Sequence, residues 1–165
     1  MSEIEIRLFV ASDIDDVFPV ILPIQREEFG IAITADDQPD LSVIPDFYQS
    51  GKGQFWVAVR NGQIVGTIGL KDIGNSQTAL RKMFVAADVR GREHGVAARL
   101  LAELMAHAEA QGIKDIFLGT TDKFVAAHRF YEKNGFAEVS RGELPQSFPL
   151  MAVDSKFYRR SITAA

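Results

Sequence analysis

Residues 89–101, VRGREHGVAARLL, change character halfway through. A polar cluster, Arg90-Gly91-Arg92-Glu93-His94-Gly95, gives way to an alanine- and leucine-rich run suited to a helix. A helix N-terminus favours negative charge, because its first amides lack intrahelical acceptors and the aligned peptide dipoles leave it partly positive. Two arginines add forked donors, and Gly91 and Gly95 let the main chain approach a ligand closely. Together these types suit an anion arriving from outside, above all a phosphate group. The competing reading is a glycine-containing turn with solvated arginines before an ordinary core helix. The G-x-x-x-x-G-K-[ST] loop is absent, as is a G-x-G-x-x-G with an acid about 20 residues on.

The elements that must position this loop follow from periodicity. Ile4–Val10 alternates as a strand does, and Ser12 or Asp13 is placed to cap a helix running to Phe29. Pro19 and Pro23 predict a kink or break inside it. A loop and short helix follow through Tyr48. Two β-prone runs then flank Asn61-Gly62, the pair a two-residue hairpin turn favours. TALRKMFVA reads as the strand leading to the polar loop. After the loop, Val96, Leu100, Leu104 and Ala108 form one stripe of a helix from Gly95 to about Gln111, stopped by Gly112. KDIFLGTT reads as a strand and KFVAAHRFYEKNGF as a short helix. AEVSRG and MAVDSKFYRR are expected to be the final strands. The order β-α-α-β-β-β-α-β-α-β-β implies an α/β (α+β) architecture, a mixed sheet with helices on its faces.

The totals bound the function. One domain over residues 1–165 is expected, long enough to bury a core. A net charge of -4 argues against nucleic acid as partner, since phosphate neutralisation needs a basic face. The absence of Cys excludes disulfides and a cysteine nucleophile. The N-terminus is acidic where a signal peptide is basic, and no apolar stretch approaches the roughly 20 residues of a membrane span. A cytoplasmic protein without a membrane partner is therefore expected. The three histidines show no metal-ligand spacing.

Arg92-Glu93-His94-Gly95-Val96-Ala97 resembles the [Q/R]-x-x-G-x-[G/A] loop of the GNAT superfamily of acyl-CoA-dependent N-acetyltransferases. The resemblance extends over nearly the whole chain. It takes in the Asn61-Gly62 hairpin, ALRKMFVAADVRG before the loop, and AAHRFYEKNGF, which is similar to that superfamily's A-x-x-x-Y-x-x-x-G-F ending.

The resemblance implies a mostly antiparallel sheet splayed between its fourth and fifth strands, with acetyl-CoA in the gap. Arg92, Glu93, His94, Gly95, Val96 and Ala97 would then hold the pyrophosphate, and the main chain of Met83, Phe84 and Val85 would pair with the pantetheine arm. Arg90 either reaches a phosphate or faces water. Tyr131 matches the tyrosine that often protonates the CoA thiolate; its bland reading is an aromatic core residue. The implied activity is acetyl transfer to a primary amine by direct attack in a ternary complex, with no cysteine available for an acyl-enzyme. Homodimers are common among such folds.

Two positions depart from the superfamily's pattern. Many relatives carry Asn where this chain has Phe124, and a Glu base where it has Ala79. Those departures motivate an alternative, a non-catalytic acyl-CoA-binding regulatory or sensor module. Glu27, Glu28, His128 and Asp154 are other titratable groups that could serve as base. The default for each is structural, and for Asp154 it is a solvent-facing place on a strand. Asp36–Asp40 either attracts a cationic amine or is a solvated loop. Phe47, Tyr48, Phe55 and Trp56 line an acceptor pocket or fill the core.

Overall fold

A computed structural model describes residues 3–91 and 94–162. The elements in chain order are β1 (Ile4–Leu8), α1 (Phe18–Pro23), α2 (Ile44–Phe47), β2 (Gln54–Arg60), β3 (Gln63–Gly74) and β4 (Gln77–Val85). They continue as α3 (Val96–Ala110), β5 (Asp115–Thr120), α4 (Val125–Lys133), β6 (Ala137–Val139) and β7 (Lys156–Ser161). Among the described residues the strands form one seven-stranded sheet in the order β1-β2-β3-β4-β5-β7-β6. Every neighbouring pair is antiparallel except β4 and β5, which are parallel and joined by the α3 crossover. No helix among the described residues is long and apolar enough to cross a membrane.

Asn61 and Gly62 turn the β2–β3 hairpin with φ of 52° and 76°, as that turn requires at both central residues. Along β2 the side chains alternate between two cores. Trp56 and Ala58 pack with α3, while Phe55 and Val57 pack with Val17, Val20, Ile21 and Tyr48. The predicted stripe of α3 is its buried face: Val96, Leu100, Leu104 and Ala108 lie against the sheet, joined by Leu101. Each such Val or Leu contributes roughly 1.5–3 kcal/mol by leaving water. That burial anchors the helix whose first turn borders the polar loop.

The first helical region departs from expectation. Asp13 caps no long helix; its carboxylate pairs with Arg7 at 2.8 and 2.9 Å and accepts the Val10 amide at 2.9 Å, closing a short 3-10 turn. α1 begins only at Phe18, with Pro19 in its first turn, where its missing N–H costs nothing. Pro23 cannot donate back into the helix, and the chain passes into a π turn over Ile24–Glu28 that closes with Phe29 N–H on Ile24 O at 3.2 Å. This wide turn carries Ile24, Glu28 and Phe29 over the C-terminal half of β4. The last strand is also shorter than expected. β7 starts at Lys156, so Asp154 lies in the turn before it.

Candidate active site

The sheet opens where the fold predicts chemistry. β4 and β5 pair only through Gln77–Ala79 and Asp115–Phe117, yet β4 stays paired with β3 to Val85 and β5 with β7 to Thr120. Beyond Ala79 the facing edges of β4 and β5 diverge into a wedge. Main-chain groups on such an edge are open to a ligand that adds itself as a strand.

A bulge in β4 lies within the diverging stretch. The register with β3 shifts between Thr67 and Gly69, and Lys82 takes φ of 55°, a left-handed conformation that is rare for a lysine inside a strand. The Thr67 hydroxyl holds it by donating to Lys82 O at 2.7 Å. In a regular strand Arg81 and Lys82 would point to opposite faces. Here both reach the same carboxylate: Asp40 Oδ2 lies 3.9 Å from Arg81 Nη2 and 4.0 Å from Lys82 Nζ.

A cleft of about 730 Å³ fills the wedge. Its floor is Met83, Phe84 and Val85; one wall is Gly91 with the first turn of α3, Gly95–Ala98, and the other is α4. Gly95, at φ of 58°, is the residue from which α3 springs, and it has no side chain to cap the first amides. Val96 and Ala97 line the cleft with it. Arg90 lines it too, but its guanidinium is engaged: it donates to Val85 O at 2.9 Å and pairs twice with Glu28, at 2.6 and 2.9 Å. The pair straps the π turn to the end of β4. His94 stands half-buried in the turn before α3, and Arg92 and Glu93 lie outside the described residues.

Tyr131 stands at the inner end of the cleft and borders a second cavity as well. Phe130, Phe136 and Tyr158 pack around its ring at 5.7–6.0 Å between centroids. Its hydroxyl points at Met83 Sδ, 3.8 Å away. Burial holds the phenol well above its ordinary pKa, so it keeps its proton.

The second cavity, about 110 Å³, adjoins the first and shares Met83, Phe84, Phe124, Ala127 and Tyr131 with it as lining. Asp154 faces into it from the turn that its own carboxylate closes by accepting the Met151 amide at 3.0 Å. The expected solvent-facing strand position is therefore corrected: Asp154 is half-buried, and burial pushes its carboxyl up, against the pull of Arg81 and Lys82. It lies so close over β5 that a Cβ on Gly119 would come 2.6 Å from its Oδ2. Lys82 Nζ lies 2.7 Å from Gln38 Oε1, to which it donates, and burial pulls its pKa down to about 8. Thr120 also lines the cavity, and its hydroxyl is fully buried without a hydrogen-bond partner among the described residues.

The other titratable candidates are placed elsewhere. Glu28 is committed to Arg90, Glu27 is exposed, and His128 is buried with its Nε2 2.9 Å from Thr121 O. Ala79 is buried on β4 opposite Phe117 of β5, whereas Phe124 packs tilted against Phe29 at 4.2 Å between ring centroids and lines both cavities. The acidic loop divides: Asp36 and Asp37 face solvent, while Asp40 is buried and accepts the Tyr48 hydroxyl at 2.6 Å. Tyr48, Phe55 and Trp56 are core, and Phe47 packs against it. Arg81 and Lys82 escaped the sequence reading, and Asp40 entered it only as the end of an acidic loop. The one signal was two adjacent cations interrupting the apolar run of TALRKMFV.

The sequence model of the Acetyltransferase (GNAT) family matches residues 18–136. The crystal structure of a GNAT-family acetyltransferase from Staphylococcus aureus Mu50 is 43% identical with a TM-score of 0.93, over 97% of this chain and 99% of that one. An acetyltransferase from Streptococcus agalactiae 2603 is 30% identical with a TM-score of 0.91, over 96% and 98%. Among curated proteins, the N-acetylaspartate synthetase of Xenopus tropicalis is 36% identical over 104 residues, 61% of this chain. The match spans 37% of that relative's own length.

Proposed function

This chain belongs to the GNAT acetyltransferase family, and we propose that it transfers the acetyl group of acetyl-CoA directly to a primary amine bound beside it. The observation that carries this reading is the β4–β5 wedge, which sets a long cleft beside a small cavity, with Tyr131 lining both. The family's acyl donor is acetyl-CoA. Its pantetheine arm fits along the main chain of Met83, Phe84 and Val85, and its diphosphate at Gly95, Val96 and Ala97, beside Arg92, Glu93 and His94. Arg90, tied to Glu28, serves in this reading to strap the cleft rather than to carry the phosphate charge.

Asp154 takes the proton from the incoming ammonium, directly or through water, and frees its lone pair. The amine attacks the thioester carbonyl and forms the C–N bond of a tetrahedral oxyanion, whose extra nitrogen-bound proton passes to solvent; collapse of the oxyanion re-forms the carbonyl and breaks the C–S bond. A main-chain N–H at Phe84 or Val85 donates to the oxyanion in between. Tyr131 gives its proton to the departing sulfur and is reprotonated from solvent. The alternative, a non-catalytic acyl-CoA-binding module, draws on the missing acid at Ala79. Asp154 fills that chemical gap from another element, which favours the enzyme.

The test is thiol release from acetyl-CoA by the purified chain across polyamines, amino acids, aminoglycosides and peptides. Release that depends on an amine supports transfer, and none across the panel contradicts it. Two variants probe the parts. Gly95→Asp is expected to weaken CoA binding on the order of 100-fold, because a carboxylate a few ångströms from a phosphate is repelled in a partly desolvated site. Gly95→Asn, which also tolerates positive φ, is expected to lose far less; titration calorimetry reads both. Gly119→Ala forces the Asp154 carboxylate aside, since its Cβ would stand 2.6 Å from Oδ2. A displacement of about 1 Å costs roughly 100-fold in kcat/KM, with acetyl-CoA affinity unchanged.

A further inference from the structure

Within that reading of the site, we infer that the acceptor is a small free amino acid, its amine directed to Asp154 and its carboxylate to Lys82. The bulge is the first reason. It spends backbone strain to turn two successive cations, Arg81 and Lys82, toward the acceptor cavity side of β4, where an ordinary strand would present one. Arg81 is engaged through all three of its nitrogens, donating to Tyr48 Oη at 3.2 Å and Pro149 O at 3.2 Å, with Met151 Sδ at 3.6 Å. Lys82 is engaged less fully. Its ammonium has three donors, and among the described residues it makes one hydrogen bond, to Gln38. Its side chain is only 4% exposed, so bulk water is largely kept from the remaining N–H groups, and a carboxylate in the cavity that Lys82 lines would satisfy them.

Charge balance is the second reason. Arg81 and Lys82 share the carboxylate of Asp40, which is not among the cavity-lining residues, and Asp154 is the anion among the described residues that line it. Once Asp154 accepts the ammonium proton and becomes neutral, one positive charge is left unmatched in a poorly solvated space. A substrate carboxylate supplies the missing charge. A plain alkylamine or a protein lysine leaves the charge and the spare Lys82 donors unanswered. The remaining wall, formed by Ile31, Ile33, Phe148 and Val153, is apolar and favours a short hydrocarbon side chain.

The experiment compares matched acceptors with wild type and with Lys82→Met: alanine, leucine and methionine, their carboxamides, isoamylamine, and a lysine-containing peptide. With wild type, kcat/KM for the free acids is expected to exceed that for the carboxamides by roughly 10- to 100-fold, the worth of one charge-assisted hydrogen bond. In Lys82→Met that ratio is expected to collapse toward one, with acetyl-CoA affinity unaltered, and Lys82→Arg is expected to restore part of it. Carboxamides or alkylamines that react as well as the acids in wild type overturn the inference and leave the transferase reading standing. A ratio that survives Lys82→Met in folded protein also overturns it. Absence of thiol release with every acceptor overturns the transferase reading itself, and this inference with it. The wild-type comparison decides the matter even where a Lys82 variant fails to fold.

Discussion

Tyr131→Phe is expected to lower kcat on the order of 100- to 10,000-fold, the usual worth of a positioned proton donor. Acetyl-CoA binding is expected to survive. Among the described residues the hydroxyl makes one hydrogen bond, the weak one to Met83 Sδ, and the ring stays wedged among Phe130, Phe136 and Tyr158. Removing the oxygen therefore costs the fold less than about 1 kcal/mol. A thioester of a more acidic thiol needs less help in leaving, so it is expected to narrow the defect. Steady-state kinetics with both thioesters, beside calorimetric titration of CoA, separate proton donation from packing. An unchanged kcat would return Tyr131 to the aromatic core.

Asp154→Asn is expected to lower kcat/KM by a comparable 100- to 10,000-fold, roughly, and to remove the acid-side inflection of the pH profile. In wild type that inflection is expected above the ordinary carboxylate value near ~3.9, because burial disfavours the charged form. Stability moves the other way. A carboxyl whose folded pKa is raised holds its proton more tightly in the folded chain, so its contribution is greatest at low pH. That contribution is lost as pH rises through the folded value. At neutral pH the wild type thus carries the cost of a half-buried charge, and Asp154→Asn is expected to be at least as stable in thermal denaturation. An inactive variant that is no less stable marks a functional group; one that is inactive because it unfolds does not.

Much of this architecture was legible locally. The Asn61-Gly62 turn, the α3 stripe with its stop at Gly112, and the spacing that sets Tyr131 on α4 are written in residue type and period. What was not legible depends on contacts between distant parts of the chain. Asp154 becomes half-buried because a turn lays it over Gly119, 35 positions earlier, and nothing in AVDSKFY signals that approach. Arg90 is claimed by Glu28 across 62 positions, through a π turn that Pro23 imposes on what reads as one helix. The convergence of Arg81 and Lys82 needs a left-handed lysine, which no propensity scale favours. Periodicity places elements, whereas the reactive groups are aimed by the places where periodicity fails.

Amide hydrogen exchange with and without acetyl-CoA tests the central claim, that the parted strands hold the cosubstrate, most directly. The account predicts slowed exchange at Met83, Phe84 and Val85 and in the first turn of α3, with little change on β1 and β2. Unaltered exchange at those residues under saturating acetyl-CoA would contradict it.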